Sequence, residues 1–284
     1  LRPINYEEKI GSAQVKSCII LGALNSPGIT TINSKASRNH TELMLKFLKY
    51  PIKVRKLNGS YKISIKGQKQ FRAFKYKIPG DISSAAFFIV LTILSKNSQI
   101  IIKNVNVNKS RIGIITILNK MGAKIFLKKK RLYNGEEIAD IYVKSKNNLI
   151  SINCPSTINS SAIDEFLIIF LVAAKAKGIS IFKDLGEMNK KESKRLDLGI
   201  KFLKLIGIKV ERFKNDLKIH GNPKLSLSGS YEIKNFLKDH RIFFLSCITA
   251  LTLGGEWKIN DKDSINTSFP SFLKILKMLG AKIN

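Results

Sequence analysis

One short phrase recurs along the chain, and any fold has to accommodate it several times. Leu118-Asn-Lys-Met-Gly122-Ala-Lys-Ile125 is echoed by Leu203-Lys-Leu-Ile-Gly207-Ile-Lys-Val210 and again by Leu276-Lys-Met-Leu-Gly280-Ala-Lys-Ile283. A degenerate copy, Leu45-Lys-Phe-Leu-Lys49-Tyr-Pro-Ile52, lacks the glycine. Each reads as the last turn of an amphipathic helix followed by a β-branched strand. Gly stands at the helix end, where the left-handed conformation costs it least. The glycines are roughly 70–85 residues apart, far more than a solenoid repeat and enough for several strands and helices per unit.

Within these intervals Gln99-Ile-Ile-Ile-Lys103 and Ile179-Ser-Ile-Phe182 read as strands, and the runs 85–94 and 166–174 read as helices. Those helices are apolar nearly all round, which places them in an interior. Alternating β and α segments predict an α/β (α+β) fold with sheets backed by helices. At Lys77-Ile-Pro-Gly-Asp81, Pro-Gly separates two segments of different texture. The expected division is an N-terminal piece, 1–77, and a larger C-terminal domain, 78–284.

Composition narrows the classes. The 284 residues, 44% hydrophobic and 25% charged, suit a cored globular protein and exclude disorder or a fibre. No apolar run approaches the ~20 residues of a bilayer span, so no membrane partner is expected. Cys18, Cys154 and Cys247 are scattered without ligand spacing, which excludes a disulfide scaffold or zinc module and favours a reducing compartment. The opening Leu-Arg-Pro-Ile-Asn-Tyr-Glu-Glu carries no secretory signal pattern. The formal charge of +30 has two readings: a polyanion-binding face, or a lysine-rich coding bias combined with an anionic small-molecule site. The lysines spread from Lys9 to Lys282, with one tight run, Lys128-Lys129-Lys130-Arg131, before a turn at Asn134-Gly135. Nucleic-acid surfaces cluster charge and favour Arg. The second reading is therefore preferred, and no nucleic-acid partner is expected.

Polar groups gather at several predicted helix starts: Gly11-Ser12-Ala13-Gln14, Pro79-Gly-Asp81-Ile-Ser83-Ser84, Ser160-Ser-Ala-Ile-Asp164-Glu165 and Lys238-Asp239-His240-Arg241. Several helix N-termini converging on one cleft would bind phosphates and carboxylates, although plain N-capping explains any one of them. Ser83 and Ser84 are assigned to capping alone. Asp239-His240-Arg241 packs an acid, an imidazole and a guanidinium together, which exceeds what a cap needs. Glu187-Met-Asn-Lys-Lys191-Glu192-Ser-Lys-Arg195 could be a solvated face. Read as a helix, however, it puts Lys191 and Arg195 on one side with Glu192 beside them, a proton donor near an anion site. No P-loop, dinucleotide fingerprint or Ser-His-Asp order is present.

Seven motifs in order resemble the EPSP synthase (3-phosphoshikimate 1-carboxyvinyltransferase) family. They are Ser12-Ala-Gln14-Val-Lys-Ser17, Ser37-Arg38-Asn-His40-Thr-Glu42-Leu-Met44, Pro79-Gly-Asp-Ile-Ser-Ser84, Ile163-Asp164-Glu165, Lys191-Glu192-Ser-Lys-Arg195, Asp239-His240-Arg241 and Thr267-Ser-Phe-Pro270. The resemblance implies a two-domain inside-out α/β barrel of repeated folding units, helices inside and sheets outside. It implies transfer of the enolpyruvyl group of phosphoenolpyruvate to the 5-hydroxyl of shikimate 3-phosphate, with no metal and no cofactor. Ser12, Ala13, Gln14, Ser37, Arg38, Asp164 and Lys191 would contact shikimate 3-phosphate. Gln14, Arg195, His240 and Arg241 would hold phosphoenolpyruvate. Asp164 would accept the hydroxyl proton, Glu192 would handle the proton at the methylene carbon, and Lys191 would bridge both substrates.

By the same resemblance the chain begins partway through the family's N-terminal domain, so the chain alone is expected to be inactive. A monomer is expected, cytoplasmic or plastid. Family members usually have Arg and Asp where Asn189 and Lys194 stand here, and Asp where Asn39 stands; Lys194 is expected to push Glu192 toward ionisation. Two alternatives remain: a UDP-N-acetylglucosamine enolpyruvyl transferase, and a non-catalytic basic binding protein of the same fold.

Overall fold

A computed structural model describes residues 1–283, and the repeated phrase marks a repeated topology. In the first unit β1 (Asn5–Glu8), α1 (Ala13–Leu24), β2 (Ile29–Lys35), α2 (His40–Phe47), β3 (Ile52–Leu57) and β4 (Ser60–Lys66) give a sheet of order β1-β2-β4-β3. There β1 and β2 run parallel, and the other neighbours antiparallel. The second unit has α3 (Ile82–Leu94), β5 (Gln99–Asn106), α4 (Gly113–Lys120), β6 (Lys124–Tyr133) and β7 (Glu136–Lys144) in the order β5-β7-β6. Its first strand is reduced to the parallel bridge Gly80–Val105. The third unit has β8 (Asn153–Cys154), α5 (Asn159–Ala162), α6 (Phe166–Lys175), β9 (Gly178–Phe182), α7 (Arg195–Leu205), β10 (Val210–Phe213) and β11 (Asp216–Gly221), ordered β8-β9-β11-β10. The fourth has β12 (Leu227–Ile233), α8 (His240–Leu253), β13 (Gly254–Ile259) and α9 (Phe272–Met278), with β12 and β13 parallel.

The phrase closes α4, α7 and α9 as its glycines predict: Gly122, Gly207 and Gly280 take φ of +90°, +75° and +94°. Lys49 in the degenerate copy adopts φ +54°, which a side-chain-bearing residue does at a cost. Strands follow in three copies, as β6, β10 and β3. After Gly280 the expected strand is not formed among the described residues, since no hairpin partner stands beside it to supply a ladder.

Helices α3, α6 and α8 pack on one another and are buried along nearly their whole length. An aromatic cluster ties α3 and α8 to α9, with Phe244 at 4.9 Å from Phe87 and 4.4 Å from Phe272. Helices lie inside and sheets outside, but the sheets are separate and open-edged, so no closed barrel forms among the described residues. Helix α1 differs: only Lys16, Ile20 and Ala23 are buried, and its apolar outer face, with Val15, Cys18 and Leu21, is exposed.

Apolar side chains form two clusters, a small lobe around Ile20, Ile32, Ile63 and Ile65 and a large lobe from Ile82 to Leu276. Residues 67–79 run between them without regular structure, apart from aromatic contacts such as Tyr76–Tyr133 at 5.9 Å. The lobes meet where α2 lies on the β6–β7 turn. A Cβ on Gly135 there would stand only 3.0 Å from Phe47 Cβ. Gly67 and Gly221 are matched sites at the ends of β4 and β11, where a Cβ would fall 2.0 Å from the Ser26 carbonyl oxygen and 2.1 Å from that of Ala176. No side chain fits at either.

Burial pushes the thiols of Cys154 and Cys247 up to about 11 and about 12, whereas Cys18 is exposed. No single helix is long and apolar enough to cross a membrane among the described residues. The one bent pair that passes by composition, Ser156–Ala162 with Phe166–Lys175, is turned by 119°, and its longer member is buried in the large lobe.

Candidate active site

The small lobe contributes two loops, each held by a buried charge. The Glu8 carboxylate, 3% exposed, accepts N–H bonds from Ile10, Gly11 and Ser12 at 2.7–3.1 Å, and Gly11 turns the chain there at φ +80°. Ser12 then caps α1, its hydroxyl accepting from the Val15 N–H at 3.3 Å, with Ala13 and Gln14 in the first turn. One turn on, buried Lys16 pairs with Glu42 at 2.7 Å and donates to the Arg38 carbonyl at 2.8 Å. That fixes the loop carrying Ser37 and Arg38. The Ser37 hydroxyl is buried with no hydrogen-bond partner among the described residues.

The large lobe answers with Asp164, at the corner between α5 and α6. Its carboxylate accepts from Arg38 of the small lobe, lies 3.1 Å from Arg195 Nη1 and 3.7 Å from Lys191 Nζ, and is 3.9 Å from Arg241 Nη2. Arg241 also donates to the Asp164 carbonyl at 2.9 Å. Burial pushes the carboxyl up, but Arg241, Arg38 and Lys191 outweigh it and hold Asp164 well below the usual carboxylate range. Beside it, between the lobes, lies a cleft of about 420 Å³ lined by Ser12, Ala13, Gln14, Ser37, Arg38, Lys191 and Glu192, with Ser160, Glu187 and Lys190 at its wall. The sequence-predicted set is thus brought together from five separate stretches of chain.

Besides Asp164, three predicted residues stand behind the cleft rather than on its lining. Arg195, 2% exposed, is engaged by Asp164, by Glu192 at 2.7 Å and by Asp239 at 3.2 Å. Asp239 caps α8 through the Arg241 and Ile242 N–H groups. Despite its burial, Ser193 and Arg195 hold its carboxyl below the ordinary value. His240 opens α8 with its ring 5.9 Å from Phe244; burial and then Arg241 pull its pKa down, so its neutral form is favoured. Arg241 Nε is buried without a hydrogen-bond partner among the described residues.

The segment before Arg195 is not the expected helix. Gly186–Lys190 is a 3₁₀ turn, Lys191 is extended (φ −87°, ψ −169°), and α7 begins only at Arg195. Lys194 sits at the N-cap, where its side chain has nothing to accept with. Asn189 caps instead, its carbonyl accepting from the N–H groups of Leu196 (3.0 Å) and Asp197 (3.4 Å). Lys191 and Arg195 therefore reach the same Asp164 oxygen from different elements rather than from one helix face. Lys194 is exposed, and its charge weighs on Asp197, while Glu192 takes its ion pair from Arg195. Ser84 N–H is capped by Asp81 as expected, but Ser83 does more than cap. Its hydroxyl donates to buried Glu165 and accepts from Arg111 at 2.7 Å. Sequence reading also missed Glu8, Lys16 and Glu42, whose partnership over 26 residues in the last pair leaves no local spacing signal.

A family model described as EPSP synthase (3-phosphoshikimate 1-carboxyvinyltransferase) matches residues 1–276. The chain belongs to the EPSP synthase family. It is 38% identical over 289 residues to the 3-phosphoshikimate 1-carboxyvinyltransferase of Ruthia magnifica, a match covering 100% of this chain and 64% of that protein. The enzyme of the same name from Thermodesulfovibrio yellowstonii is 38% identical over 280 residues, 98% of this chain and 64% of its own. Among solved structures, an EPSP synthase from Acinetobacter baumannii superposes with a TM-score of 0.89 at 33% identity, over 100% of this chain and 64% of that one. The enolpyruvyl transferase NikO of Streptomyces tendae shares the fold at a TM-score of 0.73 and 14% identity. This chain therefore spans 64% of the length of these EPSP synthase relatives.

Proposed function

We propose that this chain carries the shikimate 3-phosphate side and much of the catalytic side of an EPSP synthase. It would transfer the enolpyruvyl group of phosphoenolpyruvate to the 5-hydroxyl of shikimate 3-phosphate and release phosphate. The observation that carries this reading is the convergence of four cations from two lobes on Asp164, beside a cleft lined by Ser12, Gln14, Ser37 and Arg38. Two polyanionic substrates repel each other, and fixed cations offset that repulsion before bond formation begins.

In this reading Ser12, Ala13, Gln14, Ser37 and Arg38 hold the shikimate substrate, and the partnerless Ser37 hydroxyl is a donor waiting for it. Asp164, ionised by its neighbours, accepts the proton of the attacking hydroxyl. Its low basicity suits a base that orients the hydroxyl and takes the proton as the new C–O bond forms. Glu192, on the cleft wall, delivers the proton to the methylene carbon and later removes one as phosphate leaves. Lys191 reaches both substrates, while Arg195, His240 and Arg241 back the phosphoenolpyruvate side. The lobes divide at 77/78 and close over the pair, holding them in line and expelling water; alignment of this kind lowers a barrier by roughly 7–11 kcal/mol. The protein would act as a cytoplasmic monomer, which its bacterial relatives support only as far as compartment.

Calorimetric titration tests the reading directly. Shikimate 3-phosphate should bind saturably, and Arg38→Ala should weaken it by about tenfold, one charge-assisted contact's worth. Asp164→Asn should retain that binding and, in a chain completed to its relatives' length, lower phosphate release from the substrate pair by about 10²–10⁴-fold. A chain that ignores shikimate 3-phosphate but binds duplex DNA with a steep salt dependence would instead be a basic binding protein.

A further inference from the structure

His40 opens α2 in the small lobe, two residues after Arg38, and does not line the cleft. Its Nδ1 stands 2.8 Å from both carboxylate oxygens of Glu136, at the start of β7 in the large lobe. Glu136 is 6% exposed and is fixed within its own lobe, accepting from Asn106 Nδ2 at 2.6 Å and Asn108 Nδ2 at 3.3 Å. Burial pushes its carboxyl up, but hydrogen bonds from His40, Asn106 and Asn108 outweigh it and favour the carboxylate. A second bridge between the lobes lies alongside, with Asn108 Nδ2 donating to Asn39 Oδ1 at 2.8 Å. The other ring nitrogen of His40, Nε2, is buried without a hydrogen-bond partner among the described residues, where Glu136 alone holds the ring.

The irregular strap, residues 67–79, passes beside this contact, with Phe74 6.3 Å from Phe47 of α2 and Tyr76 5.9 Å from Tyr133 of β6. Arg38 and Asp164 bridge the lobes too, but at the cleft, where a bound anion would compete for Arg38. His40 and Glu136 stand outside that competition. The stretch carrying Arg38 is thus tied on one side to its own lobe, by Lys16 at 2.8 Å from the Arg38 carbonyl, and on the other to the large lobe. A bond from an imidazole N–H to a buried carboxylate is charge-assisted and directional. It fixes the angle between the lobes, which non-directional apolar contact leaves free to slide.

We propose that His40 and Glu136 form an inter-lobe pivot, a pair of positioning residues that seats the small lobe on the large one so that Arg38 meets the same ligand as Lys191. Neither residue touches substrate. The effect on binding rests on the reading of the cleft as a shikimate 3-phosphate site.

Two measurements on the full, folded chain test the pivot. One is calorimetric binding of shikimate 3-phosphate; the other is the rate at which trypsin cuts the strap at Lys69, Arg72, Lys75 or Lys77, all exposed. His40→Phe keeps a ring and removes the donor, so binding should weaken by about tenfold and strap cleavage should quicken. His40→Asn puts an amide N–H near the lost Nδ1 and should stay within about twofold of the parent in both. His40→Leu takes the place of His40→Phe if that variant does not fold, with the same losses expected. Glu136→Gln should weaken binding in the parent but change it by less than about twofold in His40→Phe, where its partner is already gone. A role in stability alone would lower the urea midpoint and leave affinity and strap cleavage of the folded chain unchanged. That result overturns the pivot, and so do additive losses in the double variant. A parent that binds no shikimate 3-phosphate overturns the reading of the cleft instead, and strap cleavage still decides the pivot.

Discussion

Asp164 is a buried carboxylate among four cations, and at the scale of one residue this reverses what burial alone would do. Desolvation pushes its carboxyl up, yet Arg241, Arg38 and Lys191 bring it well below the 3.8 of a free side chain. A folded value below the unfolded one adds stability that is complete above the unfolded value. That stability is lost as pH falls through the folded one. Replacing the acid strands several cations in the interior, so Asp164→Asn should cost about 3–5 kcal/mol at neutral pH. Urea unfolding from about pH 7 to about pH 2.5 should show parent and variant converging at the acid end. Parallel curves would mean that the cations do not act on Asp164 as their distances indicate. Glu165 has the opposite sign: its raised carboxyl withholds stability once pH exceeds the unfolded value.

At the scale of an element, α7 carries two linked departures from the family pattern. With Lys194 at the N-cap the helix has lost its local acceptor, and Asn189 supplies one from the preceding 3₁₀ turn. Asn189→Ala should therefore cost about 1 kcal/mol, and adding Lys194→Asp should recover most of it, since a carboxylate at the N-cap can serve the same N–H groups. Urea midpoints of the single and double variants decide this; no recovery in the double variant would mean Asn189 acts by something other than capping. The same helix shows what local sequence can and cannot carry. Gly207 marks its end, as Ser12, Asp81 and Asp239 mark the starts of α1, α3 and α8, because caps depend on neighbours a few residues away. Its beginning at Arg195 could not be read, because charged residues at helical spacing do not reveal that the cap comes from Asn189.

At the scale of the whole molecule, one topology used four times arranges helix starts around a shared centre, and the recurring phrase announces it before any coordinates. Interior helices and exterior sheets follow from the all-round apolarity of α3 and α6. Pairings that assemble the cleft do not follow: Arg38 with Asp164, Lys16 with Glu42 and Asp239 with Arg195 join distant stretches and leave no periodic trace. Family motifs name Arg38, Asp164, Arg195 and Asp239 together because ordered similarity carries three-dimensional information that spacing lacks. The excess of positive charge is diffuse along the chain, and four of its cations, Arg38, Lys191, Arg195 and Arg241, meet at Asp164.

The three thiols differ so much in setting that the native protein offers a single handle for chemistry. With Cys154 and Cys247 enclosed and their protons held to about 11 and about 12, a maleimide dye should attach to Cys18 alone, giving one label per folded chain and three in denaturant. Cys18 lies one helical turn beyond Gln14 on α1, so a fluorophore there would report on events at the mouth of the cleft with no engineering of the sequence.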